Sequence, residues 1–253
     1  MSLPSKWVAF VAALVTSAVA GTWAQTGRLE QLNPSLPQAV QIATVQGAAV
    51  RKADFGNELP SSDLRRMANW IIDTFDHAGA PFFIIDKPQA RLLVFDGQGR
   101  LQGATSVLLG LALGDVSAPG IGSRKLVDIR PEERTTPAGR FIAERGQNLR
   151  NEGVVWVDYD AAVSMHRVLT SNPAERRLER LASHRILDRR ISSGCINVPA
   201  RFFDALVYPP VASGAKVIIY VLPDERPLFA VFPEVVGQPE GAADFHDSMT
   251  SHP

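Results

Sequence analysis

The one cysteine of the chain, Cys195, stands in the run Arg190-Ile191-Ser192-Ser193-Gly194-Cys195-Ile196-Asn197-Val198-Pro199. A single thiol in a chain whose first residues read as an export signal has no internal disulfide partner. It is therefore either a buried apolar group or a reactive nucleophile. Its surroundings are those in which a thiol becomes a nucleophile, and at this point both readings stand. Gly194 allows close approach of the backbone, and a helix opened by Val198 and Pro199 would place Cys195 just before a helix N-terminus, where unpaired N–H groups lower a thiol pKa. The same N–H groups, at Gly194 and Cys195, would stabilise an oxyanion.

A thiol nucleophile needs a base within hydrogen-bond reach. Of the five histidines, His77 reads as the end of a helix and His246 and His252 as solvated tail residues. His166 and His184 remain as candidates. His166 lies on an expected strand over 162–168, where period-two alternation puts Val163, Met165 and Arg167 on one face and Ser164, His166 and Val168 on the other. His184 follows a charged helix.

The elements that must position these groups are mainly β. Residues 25–60 read as a linker or loosely packed arm. Ser61-Ser62-Asp63 is an N-cap signal, and Leu64, Met67, Ile71 and Phe75 recur at helical spacing, so an N-terminal helix is expected within 61–80. Strands are expected at 82–86, 90–95, 101–108, 141–143, 154–159, 162–168 and 216–222, with turns at 87–89 and 96–99 and a Gly/Ser/Pro-rich loop over 110–123. A charged helix over 174–182 and a second helix near 199–206 interrupt them. This is the pattern of a β-sandwich or barrel-like domain with short helices. Residues 223–253 read as a Pro-rich tail.

The segment from Ile191 to Asn197 resembles the signature of the L,D-transpeptidase catalytic domain (YkuD-like): Ser or Thr, often His, then Gly, Cys, an apolar residue, and Asn or Arg. Met165-His166 resembles its upstream histidine element. Arg134-Thr135-Thr136-Pro137-Ala138-Gly139-Arg140-Phe141 resembles its Thr-Pro-Gly-Phe segment, and the hairpin with Asp86 resembles its opening strands. The resemblance spans residues 81–222. It departs from the pattern at Ser193, where many members have His, and at Arg167, where Gly or Ser is usual. The interval between His166 and Cys195 is also longer, the extra residues falling in 172–188.

The resemblance implies a mainly β transpeptidase-type fold and a cysteine acyltransferase. Cys195 would be acylated by a peptidoglycan tetrapeptide stem with release of D-alanine, and His166 would carry the proton. Gly194 and Cys195 would supply the oxyanion donors, supported by Ser192, Ser193 and Asn197. The acyl group would pass to an amine in cell-wall crosslinking or remodelling, or to water in an L,D-carboxypeptidase. A non-catalytic peptidoglycan-binding module is the competing class. No metal or organic cofactor is implied. A thiol-redox protein would need a second, resolving cysteine.

From Arg167 to Arg190 the chain carries seven arginines against Glu175, Glu179 and Asp188, although basic and acidic residues balance at 26 each overall. That balance argues against nucleic-acid binding. The local excess is expected to form a lid or wall whose arginines meet stem carboxylates, with Arg167, Arg176 and Arg190 as substrate-binding candidates.

The N-terminus reads as a signal peptide over residues 1–24 and hence as export, to the periplasm. Lys6 precedes an apolar run over 7–20, and small residues allow cleavage after Ala20 or Ala24. No cysteine is near to carry a lipid. The alternative, an uncleaved anchor, is disfavoured because the run is short of the roughly 20 residues a spanning helix needs. No stable membrane span is expected after cleavage.

Overall fold

The computed structural model describes residues 51–148 and 150–235. The expected signal peptide, most of the arm, and His246 and His252 lie outside them. Among the described residues no helix is long and apolar enough to cross a membrane.

The first helix, α1 (Ser62–Thr74), is capped as its sequence predicts: the Ser61 hydroxyl accepts from the Leu64 N–H and donates to the Asp86 carboxylate 2.7 Å away. Leu64, Met67 and Ile71 are buried. Phe75 breaks the expected stripe, because it is the left-handed C-cap residue and half its surface is exposed. His77, expected at the end of the helix, lies just past its cap at Phe75. It is buried, and its ring lies between the carbonyls of Ile71 and Gly97 at 3.2 and 3.0 Å, tying the helix to the turn at 96–99.

The strands are β1 (Phe82–Asp86), β2 (Arg91–Phe95), β3 (Leu101–Ser106), β4 (Leu109–Gly110), β5 (Gly139–Ile142), β6 (Glu144–Gln147), β7 (Gly153–Asp158), β8 (Val163–Arg167), β9 (Arg190–Ser192), β10 (Ile196–Val198) and β11 (Ile218–Val221). Five form a mixed sheet in the order β3-β2-β1-β11-β5, with β1 and β11 parallel. Four form a second sheet, β10-β8-β7-β6, in which β10 and β8 are parallel. Two short parallel strands, β4 and β9, form a separate two-stranded sheet. The sheets are open, so the sandwich part of the expectation describes the domain and a closed barrel does not.

The first sheet is covered on both faces. Phe83, Ile85, Leu92 and Val94 pack against Val155, Met165, Ile196 and Val198 of the second sheet. Phe82, Ile84, Leu93 and Tyr220 pack against α1 and against Leu228, Phe232 and Val235. This is why β1 reads as an apolar run over Phe82–Ile85, and every residue of the strand, Asp86 included, is buried. The ends of the domain differ from expectation. Asp54 bridges to Arg100 and Phe55 is in the core, within the segment expected to be an arm. Residues 224–235, expected as tail, fold into the turn around Leu228–Val231 and close the second face of the sheet.

Two helical regions also differ. The charged helix is split into a 3-10 turn (Pro173–Glu175) and α2 (Arg177–Ala182) by Arg176, whose φ is 50°. After Pro199 a helical stretch continues through α3 (Ala200–Phe202), a π turn (Phe203–Val207) and α4 (Tyr208–Ala212).

Candidate active site

Parallel pairing of β8 and β10 builds the site. Its register sets Ile196 beside Met165, Asn197 beside His166 and Val198 beside Arg167. Alternation along each strand sends Val163, Met165, Ile196 and Val198 into the core. It leaves Ser164 and His166 on the other face together with Cys195 and Asn197. Two stretches of chain about thirty residues apart thus meet as a block of four polar side chains. His166, and not His184, reaches Cys195; His184 is exposed in the loop after α2.

Within this block the imidazole is oriented. His166 Nδ1 lies 2.7 Å from the Arg167 carbonyl. A carbonyl can only accept, so Nδ1 carries the proton and Nε2 is left as the basic nitrogen. The thiol lies 3.7 Å from the Ser164 hydroxyl and 3.6 Å from the Ala162 carbonyl. Burial pushes the Cys195 pKa up, but the hydrogen bond and charge of His166 and the bonds from Ser164 outweigh burial and leave it below the ordinary thiol value. For His166, burial favours the neutral ring. The bond to Cys195, the facing thiolate and the Arg167 carbonyl outweigh burial and raise the pKa, against the opposing charge of Arg177. Both shifts run toward the charged forms, thiolate and imidazolium, and the two groups titrate together.

The expected helix N-terminus plays no part in lowering the thiol pKa. Strand β10 and Pro199 separate Cys195 from the first helical residue, Ala200.

The cysteine loop is held tightly. Ser192 Oγ donates to the Cys195 carbonyl at 2.6 Å and accepts from the Gly194 N–H at 3.1 Å. The Gly194 N–H, expected as an oxyanion donor, is turned to Ser192 in this structure. Thr136 Oγ1 donates to the Gly194 carbonyl at 2.8 Å and accepts from the Gly110 N–H at 2.9 Å. Gly194 has φ 126°, and a β-carbon there would stand 2.8 Å from the Thr135 carbonyl oxygen. At Gly110 it would stand 2.3 Å from the Arg134 carbonyl oxygen. The segment 134–136 thus runs between two glycines whose missing side chains make room for it. Asn197 is fully buried, and its amide nitrogen lies 3.3 Å from the Cys195 carbonyl and 3.5 Å from His166 Nε2. Ser193 is half-buried between the two ends of this turn.

The arginines expected to face a substrate are otherwise engaged. Arg190 is buried, with its guanidinium on both oxygens of Asp224 and on the Lys87 carbonyl. Arg167 turns away from the thiol to Asp204 and lies 4.8 Å over the Phe203 ring. Arg176 is exposed and pairs with Glu179 on the surface. Arg180 donates to the carbonyls of Glu175 and Asp188, so the insertion's charge is spent largely on bracing itself. The insertion residue that does reach the site is Arg177, which donates to Asn197 Oδ1 and to Glu175. Its sequence context gives no sign of this, because the left-handed turn at Arg176 sets its direction.

Behind the site lies a buried network the sequence reading also missed. The Lys87 ammonium, wholly buried, donates to the Gly114 and Thr136 carbonyls and to Asp115 at 2.7–2.8 Å, and Asp224 stands 3.4 Å away. Two cations, Lys87 and Arg190, thus face two anions, Asp115 and Asp224. Among the described residues no cluster of three or more His, Cys, Asp or Glu side chains is placed to hold a metal.

No family model matches the chain, and no curated protein matches it. Among solved structures, that of the L,D-transpeptidase LdtMt1 in complex with imipenem is similar at 15% identity, with a TM-score of 0.34. The match covers 56% of this chain and 59% of that one, so the chain spans less than two thirds of its length.

Proposed function

We propose that this protein is an exported cysteine L,D-transpeptidase acting on peptidoglycan stem peptides in the periplasm. The observation that carries the reading is the oriented pair: a depressed thiol at Cys195 facing His166, whose Nδ1 proton is held by the Arg167 carbonyl. The order of the Thr136-Pro137, His166 and Cys195 segments supports the family to which the sequence is likened. The departure at Arg167 is harmless to orientation, since a backbone carbonyl performs it.

In this mechanism Cys195 Sγ attacks the carbonyl carbon that joins meso-diaminopimelate to the terminal D-alanine of a tetrapeptide stem. A C–S bond forms, the thiol proton resides on His166, and the oxyanion receives the Cys195 N–H. Collapse of the tetrahedral intermediate breaks the C–N bond, and His166 gives its proton to the departing D-alanine amine. An amine of a second stem then attacks the thioester. His166 accepts the amine's proton and returns one to the sulfur as the C–S bond breaks. Water in place of the amine gives the carboxypeptidase outcome from the same acyl-enzyme.

Intact-protein mass spectrometry of the mature chain with a disaccharide tetrapeptide tests this, beside Cys195→Ala. The expected result is a mass gain equal to the acyl stem on the native protein alone, with D-alanine released and crosslinked product following. A folded native protein that gains no adduct and turns over no stem overturns it in favour of a binding module.

A further inference from the structure

We propose that Arg177, supplied by the insertion between β8 and β9, is a positioning residue for the Cys195–His166 pair, acting through the side-chain amide of Asn197. The inference rests on the preceding reading only in taking Cys195 and His166 as the reacting groups.

The insertion is built to present this side chain. Asn172 caps the 3-10 turn at Pro173–Glu175 by accepting from the Ala174 N–H. The left-handed Arg176 then redirects the chain so that Arg177 opens α2. Arg180 clamps the carbonyls of Glu175 and Asp188, and Ser183 donates to Asp188 at 2.6 Å. Arg177 itself is gripped at both ends of its guanidinium: Nε donates to Glu175 and Nη1 donates to Asn197 Oδ1. The planar fork fixes direction as well as charge.

The consequence falls on Asn197. With its oxygen held by Arg177, its NH2 group donates to the Cys195 carbonyl and stands 3.5 Å from His166 Nε2, a contact that suits the neutral ring and opposes its protonation. The flipped amide would set two donors against each other at Arg177 and two carbonyl oxygens against each other at Cys195. Arg177 therefore selects one of two amide orientations at a residue that touches the backbone of Cys195 and the ring of His166.

Its charge also acts on His166, opposing the imidazolium that Cys195 favours. The other charged groups nearby are turned elsewhere. Arg167 on the same strand reaches Asp204, Asp158 on β7 accepts from the Ala161 N–H, and Glu175 is taken up by Arg177.

The test is an NMR titration of the His166 ring in the full chain, together with steady-state kinetics on a disaccharide tetrapeptide. Arg177→Met is expected to raise the His166 midpoint by about half a pH unit or more, because a facing positive charge is lost. It should also lower kcat roughly tenfold or more by releasing the amide, with KM nearly unchanged. Arg177→Lys keeps the charge and loses the fork, so it should hold the midpoint and recover only part of kcat. Lys216→Gln removes one exposed charge elsewhere and should behave as the native chain. An Arg177→Met midpoint that does not move overturns the proposal. So does a rise in KM alone, which would make Arg177 a substrate anchor. If the native chain neither acylates nor turns over, the functional reading fails, but the titration of the resting protein still decides whether Arg177 governs the pair.

Discussion

Thr136 and Gly194 are joined by a hydrogen bond of 2.8 Å, from the hydroxyl of one to the carbonyl of the other, and this bond ties the cysteine loop to the buried charges behind it. The Thr136 carbonyl takes the Lys87 ammonium, and Lys87 stands with Arg190 against Asp115 and Asp224. The Cys195 loop is thus anchored at one remove to a neutral group of four buried charges. Such a group is stable only as a whole, because each ion was desolvated on the promise of its partners.

Lys87→Met is therefore expected to be severely destabilising although it makes the interior more apolar. It strands Asp115 and Asp224 with one cation between them, for a cost of about 3–5 kcal/mol. Urea unfolding followed by tryptophan fluorescence measures it. A loss below about 1 kcal/mol, the range of exposed ion pairs, would contradict the account.

The same network predicts acid sensitivity. Burial raises the Asp115 pKa, but the Lys87 ammonium and the N–H groups of Arg226 and Asp224 outweigh burial and hold it at about 2, against 3.8 for the free side chain. A carboxyl depressed in the folded state adds stability that is complete above its unfolded pKa and is lost as pH falls toward the folded one. Thermal unfolding should show a decline in Tm between about pH 4 and pH 2 that is reduced in Asp115→Asn. Parallel curves for the two proteins across that window would show that Asp115 does not contribute.

Cys195 alkylation by iodoacetamide gives the state of the thiol directly. Because His166 and Ser164 outweigh burial, the midpoint of rate against pH should fall below that of an ordinary free thiol alkylated alongside. His166→Ala removes the opposing charge and leaves burial in place, so its midpoint should rise above that value. A native midpoint at or above the free-thiol value would mean an unactivated cysteine.

Much of this site is legible in the sequence because it is local. Alternation puts Ser164 and His166 on one face of β8, and the lone thiol beside a glycine marks Cys195. The apolar runs at 82–85 and 217–222 mark strands buried on both faces. What local reading misses depends on distant partners. Lys87 sits in a turn that looks solvated, and nothing near it in sequence announces Asp115 or Asp224. Residues 224–235 look like a tail because of their prolines and acidic residues, yet Leu228, Phe232 and Val235, spaced i, i+4, i+7, complete a core begun by α1. Nor does the sequence announce that Ser192, two residues before Gly194, takes its N–H.

Two glycines with positive φ separate backbone strain from steric contact. At Gly214, φ is 83° and a β-carbon would meet nothing within 4 Å. Gly214→Ala should therefore cost only the left-handed penalty, about 1–2 kcal/mol, and leave the alkylation profile of Cys195 unchanged. At Gly194 the β-carbon would also strike the Thr135 carbonyl oxygen. That oxygen cannot easily withdraw, because its segment is pinned by Thr136 on the Gly110 N–H and on the Gly194 carbonyl. Gly194→Ala should then cost more than Gly214→Ala in urea unfolding, and it should displace Cys195 from His166. Displacement removes the charge that depresses the thiol, so the alkylation midpoint of this variant should move up toward that of His166→Ala. Equal stability losses in the two variants, with native alkylation in both, would mean that the tight passage of residues 134–136 past Gly194 does not set the position of the nucleophile.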